Sequence, residues 1–325
     1  MGNNKDDRVE KYISEELNSG SGFWVKTKKL IAKRKSKYQK IELIDTESYG
    51  LALRIDDYWM TSEKDEFYYH ENMVHPAAIS HGRPKSALII GGGDGGALKE
   101  YLRYNCIQKV VLAEIDEDVV DFCKEHLKSV HKGAFQDPRL QLKIVDGMKF
   151  VRDSSEKYDL MMLDLTDPFG PAEALYTSEF LADCQNILSQ NGLLSIHLGS
   201  PVMKPQVFGR LVATLKSVFK IVRPFMVYVP LYGTWWGMAT ASQNIDPMKI
   251  NQNEVEGRIR EYFLQDLKYY NSSIHSGMFS LPNFVQKLCC DQFVPISLQF
   301  PLQETGLNPK EHRKIKVRES HFDKF

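Results

Sequence analysis

Residues 86–96 read Ser-Ala-Leu-Ile-Ile-Gly-Gly-Gly-Asp-Gly-Gly. This stretch narrows the fold more than any other. The apolar run 87–90 is short and closed by glycine, as in a buried parallel strand. Gly91, Gly92, Gly93, Gly95 and Gly96 predict a tight turn, and residues 97–104 predict a helix. Strand, glycine turn and helix open a nucleotide-binding α/β unit, in which backbone approaches the ligand closely. The spacing Gly91-x-Gly93-x-x-Gly96 fits the dinucleotide fingerprint, although a glycine-rich turn without a ligand would carry the same letters.

Asp94 inside the turn sharpens that pattern. A pyrophosphate at a helix N-terminus needs donors and positive charge. A fixed carboxylate there repels it, and repels the amino-acid carboxylate of S-adenosylmethionine as well. It attracts an amine. The turn therefore points to a nucleoside ligand whose tail ends in a cation.

The chain has 325 residues, enough for a full α/β domain and a smaller one. Lys+Arg and Asp+Glu are equal at 42 each, so net charge favours neither nucleic acid nor a membrane surface. No apolar run reaches the ~20 residues of a membrane span. The polar N-terminus lacks a signal-peptide core. Cysteines 106, 123, 184, 289 and 290 show no CxxC spacing and no even framework. Reduced, mostly buried thiols in a cytoplasmic protein are expected.

Residues 1–22 are polar and end in Asn-Ser-Gly-Ser-Gly, which predicts a partly ordered tail. Residues 23–80 predict a small antiparallel β domain with a linking helix. Alternation over 41–45 and 51–55, around Tyr49-Gly50, indicates hairpins. Seven basic residues crowd 26–37. They suit an anionic partner, or an edge strand guarded by lysines. Phe67, Met73, Val74, Ala77 and Ala78 fit one face of a helix that ends at Arg83-Pro84. Tyr69, His70 and Glu71 fall near its start, where a core tyrosine and a surface histidine would also fit.

Residues 81–290 predict a Rossmann-like α/β domain. Strands are expected at 109–114, 140–145, 160–164 and 193–198, with helices at 119–127, 178–188 and 207–219. Two closing strands, 221–229 and 235–242, flank Pro230-Leu231-Tyr232-Gly233. Such alternation gives a mostly parallel sheet with ligands at the strand C-terminal ends. Acids stand at those ends. Glu114 closes the second strand, where an acid accepts both ribose hydroxyls. Asp146, before Gly147, can accept from an adenine amine or cap a helix. Asp164 closes the fourth strand, with Asp167 three residues on. Acids gathered on one rim repel each other unless a cation lies among them.

These residues resemble the polyamine aminopropyltransferases, typified by spermidine synthase. The matching stretches are Ser36-x-Tyr38-Gln39, Asp65-Glu66-x-x-Tyr69-His70-Glu71, the glycine turn with Asp94, Glu114-Ile115-Asp116, Asp146-Gly147, Asp164-Leu165-Thr166-Asp167-Pro168, Gly170-Pro171-Ala172 and Leu267-Lys268-Tyr269-Tyr270-Asn271. They span residues 22–290. The resemblance implies a methyltransferase-type sheet, a homodimer or homotetramer, and transfer of an aminopropyl group from decarboxylated S-adenosylmethionine to a polyamine. It implies that Gln39, Gly91, Gly93, Asp94, Glu114, Asp146, Gly147 and Pro171 hold the donor. Tyr69 and His70 contact the acceptor amine, Asp164 accepts its proton with help from Tyr69, and Asp167 grips another nitrogen. Residues 164–171 are expected to form a lid. The sulfonium is already a good leaving group, so no metal or further cofactor is expected.

Departures from the family pattern gather on the acceptor side. Met60 stands where the family has Gln, and His197-Leu198-Gly199 replaces its Gln-x-Glu. Its Pro-Thr-Tyr-Pro-Ser-Gly loop is here Pro230-Leu231-Tyr232-Gly233-Thr234-Trp235-Trp236, which keeps Tyr232. Trp235 and Trp236 suit either an aromatic wall for a longer polyamine or plain strand core. Putrescine is the first acceptor by family frequency; spermidine (giving spermine or thermospermine), cadaverine and agmatine are the others. The rival classes are an S-adenosylmethionine methyltransferase and a nicotinamide dehydrogenase, both opposed by Asp94, and a polyamine-sensing module without turnover. Residues 291–325, with the basic run 313–318, lie beyond the resemblance and predict a surface extension.

Overall fold

The strand that leads into the glycine turn sits in the middle of a sheet. The computed structural model describes residues 10–168, 170–290 and 292–302, with only the backbone described at Gly170 and Pro171. Most of the 1–22 segment's early residues, and the basic 313–318 run, therefore fall outside it.

An antiparallel sheet of five strands comes first, in the order β1 (Tyr12–Asn18), β2 (Ser21–Lys35), β3 (Lys40–Thr46), β4 (Gly50–Ile55) and β5 (Tyr58–Ser62). Helix α1 (Glu66–His81) links it to the second unit. There, β6 (Ser86–Gly91), α2 (Gly96–Leu102), β7 (Lys109–Glu114), α3 (Glu117–His126), the short α4 (Lys128–His131), β8 (Leu140–Ile144), α5 (Gly147–Asp153) and β9 (Tyr158–Asp164) follow in turn. The chain continues through α6 (Ser178–Ile187), β10 (Leu188–Gly199), α7 (Pro205–Val218), β11 (Ile221–Val229) and β12 (Thr234–Ser242). It then adds α8 (Gln252–Glu261), α9 (Ser272–Met278) and α10 (Asn283–Leu288).

The second sheet has the order β11-β12-β10-β9-β6-β7-β8. Strands β6 to β10 run parallel, and β12 is antiparallel to both of its neighbours. Both faces of this sheet are covered. Along β6, Leu88 and Ile90 join a core with Phe180 and Leu211, while Ala87 and Ile89 join another with Met73, Ala77 and Tyr101. Period-two alternation on a two-sided strand explains why 87–90 is a continuous apolar run. The chain leaves β6 toward β7 and β8, then returns to β9 on the other side. In sheets of this kind ligands bind outside the carboxyl ends of the two strands where the order reverses, here β6 and β9.

The N-terminal segment departs from the predicted tail. From Tyr12 onward it is strand, paired with β2 from Tyr12↔Lys26 to Asn18↔Ser21. Its pattern hides this: only Ile13 and Leu17 are buried apolar residues. The basic stretch is strand as far as Lys35; β2 meets β1 only over its first half, and the lysine-rich remainder is an edge, as the sequence allowed. The pairings with β1 reach Lys26, and residues 27–35 pair with β3. Among the described residues no helix is long and apolar enough to cross a membrane.

Candidate active site

At the reversal of strand order, Gly91 and Asp164 are partners in register. The Gly92 amide donates to the Asp164 carbonyl at 3.0 Å. Gly91 has φ of 82°, and a Cβ there would overlap that same carbonyl. Glycine is therefore required for the turn to lie against β9.

Asp164 is the hub of the residues gathered at this point. Tyr69, from the second turn of α1, donates its hydroxyl to Asp164 Oδ1 at 3.0 Å. Oδ2 is buried and has no partner among the described residues. Burial, followed by the charge of Asp94, pushes the Asp164 carboxyl up to about 6; His70 and the Tyr69 hydroxyl act in the opposite direction. An acid so placed takes up a proton near neutral pH, as a general base requires.

Asp94 bends back to cap its own turn, accepting from the Gly96 amide at 2.7 Å through Oδ1. His70 Nε2 stands 3.6 Å from that oxygen, and His70 Nδ1 is 2.9 Å from Glu66 Oε2. Burial disfavours a charged imidazole, but the two carboxylates outweigh it and hold His70 protonated well above the ordinary histidine range. Asp94 answers in kind: burial would raise it, yet His70 keeps it below the usual carboxylate value. The alternation continues inward. Lys99 Nζ bridges Glu66 at 2.6 Å and Glu100 at 2.9 Å, and Glu100 meets His75 at 3.1 Å. His70 is thus no surface histidine. Its two ring nitrogens both face carboxylates. Gly96 is the space this needs, since a Cβ there would overlap the His70 ring.

Where the sequence places the nucleoside, Glu114 is 8% exposed and lies against Gly93, which has no side chain to block it. Burial pushes its carboxyl up to about 7, partly offset by the amides of Asp116 and Ile115. The first sheet reaches this point through Asp116, whose Oδ2 accepts from Gln39 at 2.9 Å and Ser36 at 2.6 Å. Asp146 is exposed and caps α5 through Met148 at 2.8 Å and Lys149 at 3.3 Å. One of its oxygens thereby takes the capping role.

The side expected from the sequence to hold the acceptor is aromatic. The Tyr232 ring packs 6.2 Å from Tyr69 and 4.9 Å from Trp236, and its hydroxyl donates to the Met60 carbonyl at 2.7 Å. Trp236 stacks on His197 at 5.8 Å. His197 Nε2 lies 2.9 Å from the Leu165 carbonyl and 2.7 Å from the Tyr176 hydroxyl, which itself donates to the Thr166 carbonyl at 2.8 Å. A carbonyl can only accept, so Nε2 carries the proton and Nδ1 presents a lone pair. That Nδ1 and the Trp236 Nε1 are both buried and unpartnered among the described residues.

Two family models match this chain. One is described as a spermine/spermidine synthase domain and covers residues 66–253; the other, a spermidine synthase tetramerisation domain, covers residues 12–63. The chain belongs to the spermine/spermidine synthase family. A polyamine aminopropyltransferase of Nitrosomonas europaea is 45% identical over 309 residues, covering 95% of each chain. One from Sulfolobus acidocaldarius is 38% identical over 80% of this chain and 87% of its own. The spermidine synthase of Thermotoga maritima shares the fold with a TM-score of 0.80 at 32% identity, over 89% of this chain and 97% of that one. A spermidine synthase in complex with the transition state analogue AdoDATO gives 0.81 at 32% identity, over 89% and 98%. The fold expected from the sequence, with its antiparallel N-terminal sheet and mostly parallel Rossmann-like sheet, is the one these enzymes have, and this chain is a spermidine-synthase-like polyamine aminopropyltransferase.

The fold brings Tyr69, His70, Asp94, Asp164, Tyr232 and Trp236 into one cluster. It separates the two tryptophans, because neighbours on a strand face opposite sides. Trp235 is 46% exposed and packs on Tyr228, away from His197. The Pro171 side chain and Phe169 lie outside the described residues; the backbone of 170–176 forms a 3-10 turn. Sequence reasoning missed Glu66 and Lys99 behind His70, because charges on a helix read as solvated. It also missed Lys204, whose ammonium is 3.0 Å from Asp167 Oδ2.

Proposed function

We propose that this enzyme transfers the aminopropyl group of decarboxylated S-adenosylmethionine to putrescine, yielding spermidine and methylthioadenosine. The observation that carries this reading is the Asp164 carboxylate. One oxygen is fixed by Tyr69, and the other is buried without a partner beside a glycine turn bearing Asp94.

The attacking amine of a polyamine is protonated at neutral pH, with a pKa near ~10.4 like lysine, and has no lone pair. Asp164 takes that proton. The freed nitrogen attacks the propyl carbon bonded to sulfur, the new C–N bond forms, and the C–S pair returns to sulfur as a neutral thioether. Tyr69 orients the carboxylate, and alignment of the two substrates supplies much of the rate. Asp94 attracts the ammonium of the donor tail. Gln39, Gly91, Gly93, Glu114, Asp146, Gly147 and Pro171 hold the nucleoside. Asp167 and the Tyr232–Trp236 wall take the acceptor's remaining length, and residues 164–171 close over it. Self-association runs through the N-terminal sheet, as a homodimer or homotetramer. The setting is cytoplasmic, in keeping with five free cysteines.

A longer acceptor is the second reading, favoured by Trp236 stacked on His197. A turnover panel with putrescine, cadaverine, agmatine, spermidine and spermine separates the two. Calorimetry with both forms of the sulfonium nucleoside tests the donor. Tight binding of the decarboxylated form alone is expected, and equal binding of the two would overturn the role of Asp94.

A further inference from the structure

Asp167 already has a cation. Lys204, at the start of α7, places its Nζ 3.0 Å from Asp167 Oδ2, and both side chains are mostly shielded, at 21% and 24% exposure. The β1–β2 hairpin closes over this corner. Asn18 and Ser21 meet the sulfur of Met203 at 3.5 and 3.7 Å. Glu15, held by the Trp59 amide at 2.9 Å, feels the charges of both Asp167 and Lys204. The carboxylate assigned to the acceptor's second nitrogen is thus neutralised by the protein's own alkylammonium, which has the same chemistry as that nitrogen.

We propose that Lys204 is an acceptor-specificity residue, an internal ammonium that competes with the second nitrogen of a diamine for Asp167. This rests on the aminopropyl-transfer reading above. When a diamine enters, one ammonium replaces another on one carboxylate, so the electrostatic gain nearly cancels. What discriminates is then reach: an acceptor must span from Asp164 to Asp167 to displace the lysine. Any further cation beyond that point meets a repelling charge, which disfavours longer polyamines.

The test is steady-state kinetics of Lys204→Met against the wild type, with dissociation constants for n-butylamine, an amine with no second nitrogen, measured alongside. Removing the charge is expected to lower the KM for putrescine by about five-fold, the upper worth of a partly screened ion pair. The spermidine-to-putrescine ratio of kcat/KM should rise, while the donor KM and n-butylamine binding stay unchanged. In an Asp167→Asn background no carboxylate is left to compete for, so the lysine change should lower the putrescine KM by less than it does in the wild type. A melting curve confirms that the variant is folded. A putrescine KM that rises would mean Lys204 only positions Asp167, and equal gains for putrescine and n-butylamine would mean a nonspecific field; either overturns the proposal. If the wild type transfers no aminopropyl group to any amine, the underlying reading fails and this one falls with it.

Discussion

The Tyr69 hydroxyl donates to Asp164 Oδ1 across 3.0 Å, joining a helix of the linker to the end of a central strand 95 residues later. This bond favours the ionised carboxylate, against burial and Asp94, which favour the acid. Three measurable consequences concern this pair. Asp164→Asn should lower kcat by roughly 10²- to 10⁴-fold while donor binding by calorimetry persists. A near-normal rate would remove Asp164 as proton acceptor. In the wild type, kcat/KM for the acceptor should fall as pH drops through about 6, because a protonated Asp164 accepts nothing. Tyr69→Phe removes a bond to the charged form, so that acidic limb should move to higher pH; an unmoved limb would show that Tyr69 does not act on Asp164.

His70 makes a prediction about stability. Its folded-state pKa lies well above its ordinary 6.5, since Asp94 and Glu66 outweigh burial. The native state therefore keeps a proton that the unfolded chain releases. The contribution of this site is complete below pH 6.5 and is lost as pH rises through the folded value. Urea unfolding of the wild type and His70→Gln should show the larger deficit for the variant at pH 6, narrowing toward alkaline pH. A deficit independent of pH across that window would mean that folding does not shift the His70 pKa, and one that grows with pH would mean that His70 is neutral in the fold.

Gly96 sits where no side chain fits. Its first atom would meet the His70 ring, and the same residue gives Asp94 its capping amide at 2.7 Å. Gly96→Ala should therefore displace the His70–Asp94 pair and weaken donor binding by at least ~10-fold, with a stability loss of about 1–3 kcal/mol from overpacking. Calorimetry and melting curves check both. Unchanged donor affinity would separate His70 and Asp94 from the donor tail.

Much of this was legible because it is local. The β6 turn, the acids at strand ends and the strand–helix alternation follow from apolar period and glycine placement, and β7 ends at Glu114 as expected. What the sequence hides is long-range. Strand β1 has few apolar residues and depends on pairing with β2 and on Glu15 reaching the Trp59 amide. Glu66 and Lys99 look like helix-surface charges, yet they are buried by facing each other and His70. The Trp235-Trp236 pair could be sorted only once the strand fixed which side faces His197. Helices α8 to α10 are short and polar, so period alone does not single them out.

Glu71 shows how two distant motifs depend on each other. Its carboxylate is 3% exposed and accepts from three consecutive amides: Lys268 at 2.9 Å, Tyr269 at 2.8 Å and Tyr270 at 2.9 Å. Charge-assisted bonds of this kind are about twice as strong as neutral ones. Glu71→Ala leaves three donors with no acceptor, so it should lose about 2–4 kcal/mol in urea unfolding. Glu71→Gln keeps one carbonyl oxygen and should fall between the alanine variant and the wild type. The loosened segment is the one just before α9, so limited proteolysis should cut the alanine variant first near residues 267–271. An alanine variant within ~0.5 kcal/mol of the wild type, the range of an ordinary surface change, would show that water replaces this carboxylate without loss.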